Sequence, residues 1–321
     1  MAQTNNSFPN GDEFVFDPFG LYAQEDTSST ASPQPPPQVN RLTRSAERQS
    51  QPLDDSMETS KSIALPARLV VKFICHEEVS SVADTGPDNE GASEVRIEGR
   101  INAQVISSDA MKNPPFCLVA STPAGDHIQF TANKLYSSVS SRPLPRSGMS
   151  LIHVPKTEVT AVPIGSYSVT ENVRHMPLLV ERKVTMFGNA VRIAVQVRSK
   201  LSNNGDITDF TIAVAVPERV NGETVEVSRG KGVYDDLKRT IKWNVGQLPK
   251  GESFMVSAQA QLWSSATKED QLSLKFPVLL RCTSFDDQIS NVELKAAEAD
   301  GFPSTVSFNR SFSFQLLHRL P

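Results

Sequence analysis

The stretch from Arg239 to Cys282 leaves the chain few ways to fold. It reads RTIKWNVGQLPKGESFMVSAQAQLW, then an acidic loop, then QLSLKFPVLLRC. Ile241, Trp243 and Val245 alternate with Lys242 and Asn244. Phe254, Val256, Ala258, Ala260 and Leu262 recur at every second position, and Leu272, Leu274, Phe276, Val278 and Leu280 do the same. Side chains two apart share one face of a strand but scatter around a helix, so the period predicts three consecutive strands, with a first turn at Leu248-Pro249-Lys250-Gly251.

The same period recurs through most of the chain. Arg68 to Ile74 predicts an opening strand, and Val95, Ile97, Ile101, Ala103 and Val105 share a face, with Gly99 in that phase marking a bulge or a close backbone approach. Phe116 to Ser121 and Ile128 to Thr131 predict a hairpin around Pro123-Ala124-Gly125-Asp126, and Ser137 to Met149 predicts a mobile loop. Val191, Ile193, Val195 and Val197 oppose Arg192, Gln196 and Arg198, the pattern of a sheet buried on one side and wet on the other. Phe210, Ile212, Val214 and Val216 follow the Asn203-Asn204-Gly205-Asp206 turn. No stretch makes a long helix, so the expected class is all-β.

Residues 1–62 break this pattern. They are rich in Pro and Ser and hold nine acidic and four basic side chains, so the net charge of −4 splits into −5 for the tail and +1 for the body. A polar segment of this kind cannot bury enough apolar surface to fold, and disorder is expected. Neither part has the basic runs of a nucleic-acid binder, so no nucleic-acid partner is expected. Cys75, Cys117 and Cys282 lie inside apolar runs without paired spacing, which fits buried thiols in a reducing, cytoplasmic setting. The start lacks the basic flank and apolar core of a signal peptide, and no window approaches a membrane span.

Motifs for chemistry are few. Phosphate-loop, zincin and nucleophile-elbow patterns are absent, and His76 beside Glu77 and Glu78 has no second histidine at ligand spacing, so neither a cofactor nor a metal is expected. Within the tail, Asp17-Pro18-Phe19 lies in the string DEFVFDPFGLY, where proline sets a turn, the carboxylate caps it and phenylalanine is presented to a pocket. Pro33 to Pro37 reads as a stiff spacer. Arg182, Lys183, Arg192, Arg198 and Lys200 form a candidate lipid or partner patch, weighed against an ordinary wet sheet face. In the final strand Arg310 shares a phase with Val306, Phe308, Phe312, Phe314 and Leu316. A buried unpaired charge is prohibitive, so Arg310 is expected either at a re-phasing bulge or at the sheet edge, held there by a carboxylate.

The runs VRIAVQVRSKL, DFTIAVAVP, IKWNVGQLPKGE, VSAQAQL and LSLKFPV, with DQISNVELK after them, resemble the mu-homology domain of clathrin-adaptor medium subunits, in the order that family places them. NPPFCLVASTPAGDHIQF and the polar tail resemble the muniscins, endocytic adaptors whose C-terminal mu-homology domain binds cargo or partner proteins. The resemblance implies an elongated mu-homology domain over residues 63–321, built from two interleaved β-sandwich parts with the second inserted at about residues 165–271. No membrane-bending N-terminal domain is expected. The implied role is an endocytic adaptor at plasma-membrane clathrin-coated pits that is not an enzyme. Its implied partners are cargo tails, scaffold proteins, an anionic membrane surface and, through Asp17-Pro18-Phe19, an adaptor appendage. A coat subunit of another route and an enzyme with a cleft active site are the alternatives. The medium-subunit pocket for tyrosine signals uses an aromatic and an aspartate on the opening strand and a tryptophan and arginine near the C-terminus. Val70 and Lys72 stand where the resemblance places the first pair, and the last strand has no tryptophan, so binding of such signals is not expected.

Overall fold

Alternation in the sequence becomes a run of strands in the computed structural model, which describes residues 67–83, 92–123, 128–138, 149–169, 176–300 and 304–321. The tail of residues 1–62, with Asp17, Pro18 and Phe19, lies outside the described residues. The first half contains β1 (Ala67–Ala83), β2 (Ala92–Ser108), β3 (Phe116–Ser121), β4 (Gln129–Ala132), β5 (Ser137–Ser138), β6 (Met149–Ile152) and β7 (Val162–Val169). The second contains β8 (Leu178–Phe187), β9 (Ala190–Ser199), β10 (Ile207–Ala215), β11 (Val220–Arg229), β12 (Gly232–Asp235), β13 (Thr240–Leu248) and β14 (Ser253–Leu262). A short helix α1 (Lys268–Ser273) precedes β15 (Val278–Ser284), β16 (Glu293–Glu298) and β17 (Ser304–Leu320). The fold is all-β, as expected.

Nine strands share one sheet, ordered β12-β13-β10-β15-β17-β1-β2-β7-β4, and two four-stranded sheets, β11-β14-β9-β8 and β16-β3-β6-β5, complete the architecture. At its centre β1 and β17 pair in parallel from Ala67 opposite Ser304 to Val82 opposite Arg319. Leu69, Val71, Phe73, Cys75 and Val79 of β1 are buried, with Phe314 and Leu316 of β17. The Phe73 ring meets Phe116 of β3 at 6.0 Å and Phe308 at 5.8 Å, both tilted, which ties the β16-β3-β6-β5 sheet to the long one.

One carboxylate joins this packing. Glu77 is fully buried on β1, where Tyr167 Oη donates to it at 2.7 Å, the backbone N–H groups of Ile289 and Ser290 donate at 2.8 and 3.1 Å, and the Ser290 hydroxyl donates as well. A carboxylate has room for about four donors, so the group is satisfied in full. Burial and the adjacent Glu77 carboxylate push the Tyr167 phenol up, which keeps it a donor. Burial, aided by Glu77, pushes the Cys75 thiol up to about 12, and burial raises Cys117 and Cys282 as well, so all three stay inert free thiols.

Several expectations are corrected. The alternation at Leu272 and Leu274 is not a strand: Thr267 caps α1 in a capping box with Asp270, and β15 begins only at Val278. Local hydrogen bonding there wins over the period-two signal. Phe116–Ser121 and the strand at residues 129–132 are not a hairpin, because both edges of β3 are taken by β16 and β6 while β4 pairs with β7. The opening strand runs on to Ala83, well past Ile74. Gly99 marks a close approach, with Tyr167 opposite it on β7 and the Tyr167 ring filling the space a β-carbon would need. The region expected as a mobile loop begins and ends in strand, at Ser137–Ser138 and Met149–Ile152, and residues 139–148 lie outside the described residues.

Two stability predictions follow from these contacts. Gly99→Ala forces the Tyr167 ring off Glu77 and should destabilise the body by about 2 kcal/mol or more in chemical denaturation, whereas Ala103→Gly on the same strand should cost about 1. His318 is buried beside the Ser81 hydroxyl, 2.8 Å from Nδ1, and burial pulls its imidazole down to about 4. Between the ordinary value of 6.5 and about 4 the unfolded chain takes up a proton that the folded chain refuses, so the stability held above that window is lost as pH falls through it. Tm measured from pH 7 to 4 should therefore fall, and His318→Gln should flatten that part of the curve.

Candidate functional site

The long strands β1 and β17 set up two features side by side. The first is an edge. β15 pairs with β17 from Phe314 to Leu320, while among the described residues the stretch Ser304–Ser313 has β1 as its ladder partner and no strand on the other side. Among the described residues no ladder uses the backbone groups on that side, and β16 lies close by at Leu294. Arg310 stands here, exposed, its guanidinium 5.7 Å from the centre of the Phe308 ring and donating to the Leu294 carbonyl at 3.4 Å. The edge position expected for Arg310 is observed. Among the described residues its direct partners are this carbonyl and the aromatic face rather than a bonded carboxylate, with the Glu293 carboxylate near enough to feel its charge.

The second feature is a cavity of about 480 Å³ on the outward face of the same sheet. Strand register assembles it: Glu78 lies beside Gln315 on β17 and Glu98 on β2, Ser80 lies beside Leu317 and Arg96, and Leu317 faces Arg281 on β15. Arg96 bonds Glu98 at 2.6 Å and Arg100 bonds Glu78 at 2.9 Å, so each acid at the mouth has a cation beside it. These pairs are exposed and contribute little to stability. Arg281 differs, since its Nη2 and Nε donate to the Gln315 side-chain oxygen at 2.6 and 3.0 Å in the amide orientation that satisfies both groups. A neutral amide fixes the guanidinium without cancelling its charge. The wall therefore offers one oriented cation next to the half-buried Leu317, a pairing suited to a carboxylate followed by an apolar side chain. None of these cavity residues stood out in the sequence. They come from four strands, from Glu78 to Leu317, as much as 239 positions apart, and Arg281 announced itself only as a polar residue between buried Leu280 and Cys282.

The candidate basic patch is divided by the fold. Arg182 points to the inner side of its sheet, where it donates to the Phe276 carbonyl at 2.8 Å and burial lowers its guanidinium. Lys183 is outward on β8, and its pairing with Ala194 puts it on the face of Arg192 and Arg198. Lys200 follows β9, with its N–H bonded to Pro177. The face is not the wet one expected: Arg192 and Arg198 are half-buried, and Ala194, Gln196 and Ser257 between them are 6% exposed or less. β9 is flanked by β8 and β14, so long neighbouring side chains lie over its small ones. His76, weighed for a metal, is half-buried with Nδ1 3.0 Å from the Ser313 hydroxyl.

Comparison with known proteins agrees with this architecture. The sequence profile of the adaptor complexes medium subunit family matches residues 150–307. The AP-1 complex subunit mu-1 of Schizosaccharomyces pombe is 22% identical over 116 residues, which span 36% of this chain and about a quarter (27%) of that relative. Among solved structures, the Fcho1 mu homology domain of Danio rerio, determined with a bound Eps15 peptide, is similar with a TM-score of 0.53 at 11% identity, over 79% of this chain and 97% of that one. Profile and fold agree: residues 150–307 match the adaptor complexes medium subunit family, and the body has the fold of a mu homology domain.

Proposed function

We propose that the protein is a muniscin-type adaptor in clathrin-mediated endocytosis, whose body docks short extended peptides and whose tail recruits the coat. The observation that carries the reading is the open edge of β17 at Ser304–Ser313, next to the Arg281 cavity. An extended peptide added there gains main-chain hydrogen bonds from the edge, and pockets for alternate side chains supply the selectivity. The similar Fcho1 domain holds an Eps15 peptide, which supports short-motif partners for this body too. Cargo tails and scaffold segments are the partner class. Asp17-Pro18-Phe19 would bind an adaptor appendage, and two weak contacts on one chain together give tighter recruitment than either alone.

At the edge the Ser313 hydroxyl, 3.0 Å from His76 Nδ1, lies 3.2 Å from the Cys75 carbonyl of the neighbouring strand, and a role in binding rather than catalysis accounts for edge and cavity alike. The site of action is the cytoplasmic side of coated pits, reached peripherally; among the described residues no helix is long and apolar enough to cross a membrane.

Three measurements test this reading. A labelled Eps15 peptide titrated into the full chain should saturate, and Arg281→Gln or Arg310→Glu should each weaken it at least fivefold; equal binding by both variants would remove the site. A tyrosine-based sorting peptide should not bind in the micromolar range, because Lys72 offers no acceptor for the tyrosine hydroxyl; saturation there would reverse the assignment. Capture from lysate with the full chain should recover adaptor and clathrin components, and the Asp17→Ala, Phe19→Ala double substitution should lose them. Recovery of the same partners by both baits would show the tail motif to be idle.

A further inference from the structure

We infer that the Arg281 cavity receives the C-terminus of a partner chain, with the terminal carboxylate on the Arg281 guanidinium and an apolar last side chain on Leu317. This rests on the reading of the cavity as a peptide-docking site and names the part of a peptide that enters it. Ladder register lays Arg281, Leu317, Ser80 and Arg96 in one row across β15, β17, β1 and β2. Gln315, Glu78 and Glu98 belong to the next row. Arg281 and Leu317 are direct antiparallel partners, so their α-carbons stand about 5 Å apart. A C-terminal residue carries its carboxylate and its side chain on one α-carbon, and it reaches both groups at that spacing. In an extended peptide successive side chains point opposite ways, so an internal acid and the apolar residue after it enter one cavity only where the chain turns.

The wall favours an end over a strand passing through. At this level β17 lies between β15 and β1, and β1 between β17 and β2, so the ladders use the main-chain groups of the wall and a peptide crossing it gains no strand pairing. Recognition falls to side chains, and a cavity of about 480 Å³ suits a terminal residue. Charge is divided across it. On the β1 and β2 side Glu78 and Glu98 are bonded to Arg100 and Arg96. On the β15 and β17 side Arg281 is held by the neutral Gln315 oxygen, and exposed Arg319 follows Leu317 in the same phase; among the described residues no acid bonds either cation. Nε and Nη2 of Arg281 are turned to Gln315, which leaves the Nη1 N–H groups and the other N–H of Nη2 as a fork for both oxygens of a carboxylate. A C-terminal amide brings neither the charge nor the second oxygen.

The probe is an array of random hexapeptides ending in Leu, Val, Phe, Ser or Asp, each made as the free acid and as the amide, with the labelled full chain applied to it. Free acids ending in Leu, Val or Phe should bind and their amides should not. A bound free acid, titrated in solution, should lose at least tenfold in affinity when amidated or extended by Gly-Gly. Arg281→Gln, at unchanged Tm, should abolish the acid–amide difference, and Gln315→Met, which keeps the charge but releases the guanidinium, should shrink it. A difference that survives Arg281→Gln, or indifference to the last side chain, overturns the proposal. Amides that bind as well as acids and are lost with Arg281→Gln overturn the terminus and keep the docking reading. Binding by neither form overturns the terminus alone if the labelled Eps15 peptide still binds, and the docking reading with it if that peptide does not.

Discussion

The buried Glu77 carboxylate holds the first half of the body in place. Its four donors come from β7 and from the turn ahead of β16, two regions more than 100 residues apart in the chain, and each hydrogen bond crosses from β1 to one of them. An apolar side chain at this position would leave the Tyr167 hydroxyl and two backbone N–H groups buried without acceptors, a larger loss than the contact itself is worth. Gly99 belongs to the same arrangement because it makes room for the ring that delivers the phenol. With β1 fixed in this way, the parallel ladder to β17 is fixed too, and the edge and cavity on β17 inherit their geometry from it.

A comparable device steadies the second half. Trp243 is buried with its Nε1–H donating to the Arg229 carbonyl at 3.2 Å, and Gly230 and Gly232 on β12 and the preceding turn leave the indole the space it needs. The Arg229-Gly230-Lys231-Gly232 sequence reads as a basic turn, but its glycines serve the tryptophan. Arg239, in a left-handed conformation with φ of +46°, turns its guanidinium back onto the Val216, Pro217 and Val220 carbonyls, closing the turn between β12 and β13 onto β10 and β11.

Fold class was legible in the sequence because period-two alternation is a local signal, and it survived even where the element did not: Phe276, Val278 and Leu280 are buried in phase although Phe276 lies before β15 begins. Pairing partners were not legible. Nothing near Phe116 or Gln129 says that their strands lie in different sheets, since that is settled by β6, β7 and β16, far away in sequence. The site was less legible still. Arg310 could be placed by the cost of burying a charge, a rule that works residue by residue. Arg281 and Gln315 become a unit only after β15 and β17 align, and Arg182 parts from Lys183 because neighbours on a strand face opposite ways. A count of basic residues along the chain cannot detect that.

Three strands of the body share the greatest length, 17 residues, and two of them, its first and its last, are parallel neighbours. A chain emerging from the ribosome must therefore carry β1 unpaired on one side until β17 is made, and the partner of Phe73 in the ladder is Arg310, 237 positions later. Contacts of such separation close slowly, and the waiting strand presents a long apolar edge meanwhile. Closure of this sheet waits for β17, so a chain interrupted before Ser304–Leu320 is made carries an open β-sheet. That interval is when the chain most needs a chaperone, and it makes synthesis through β17 a condition for the docking surface to exist at all.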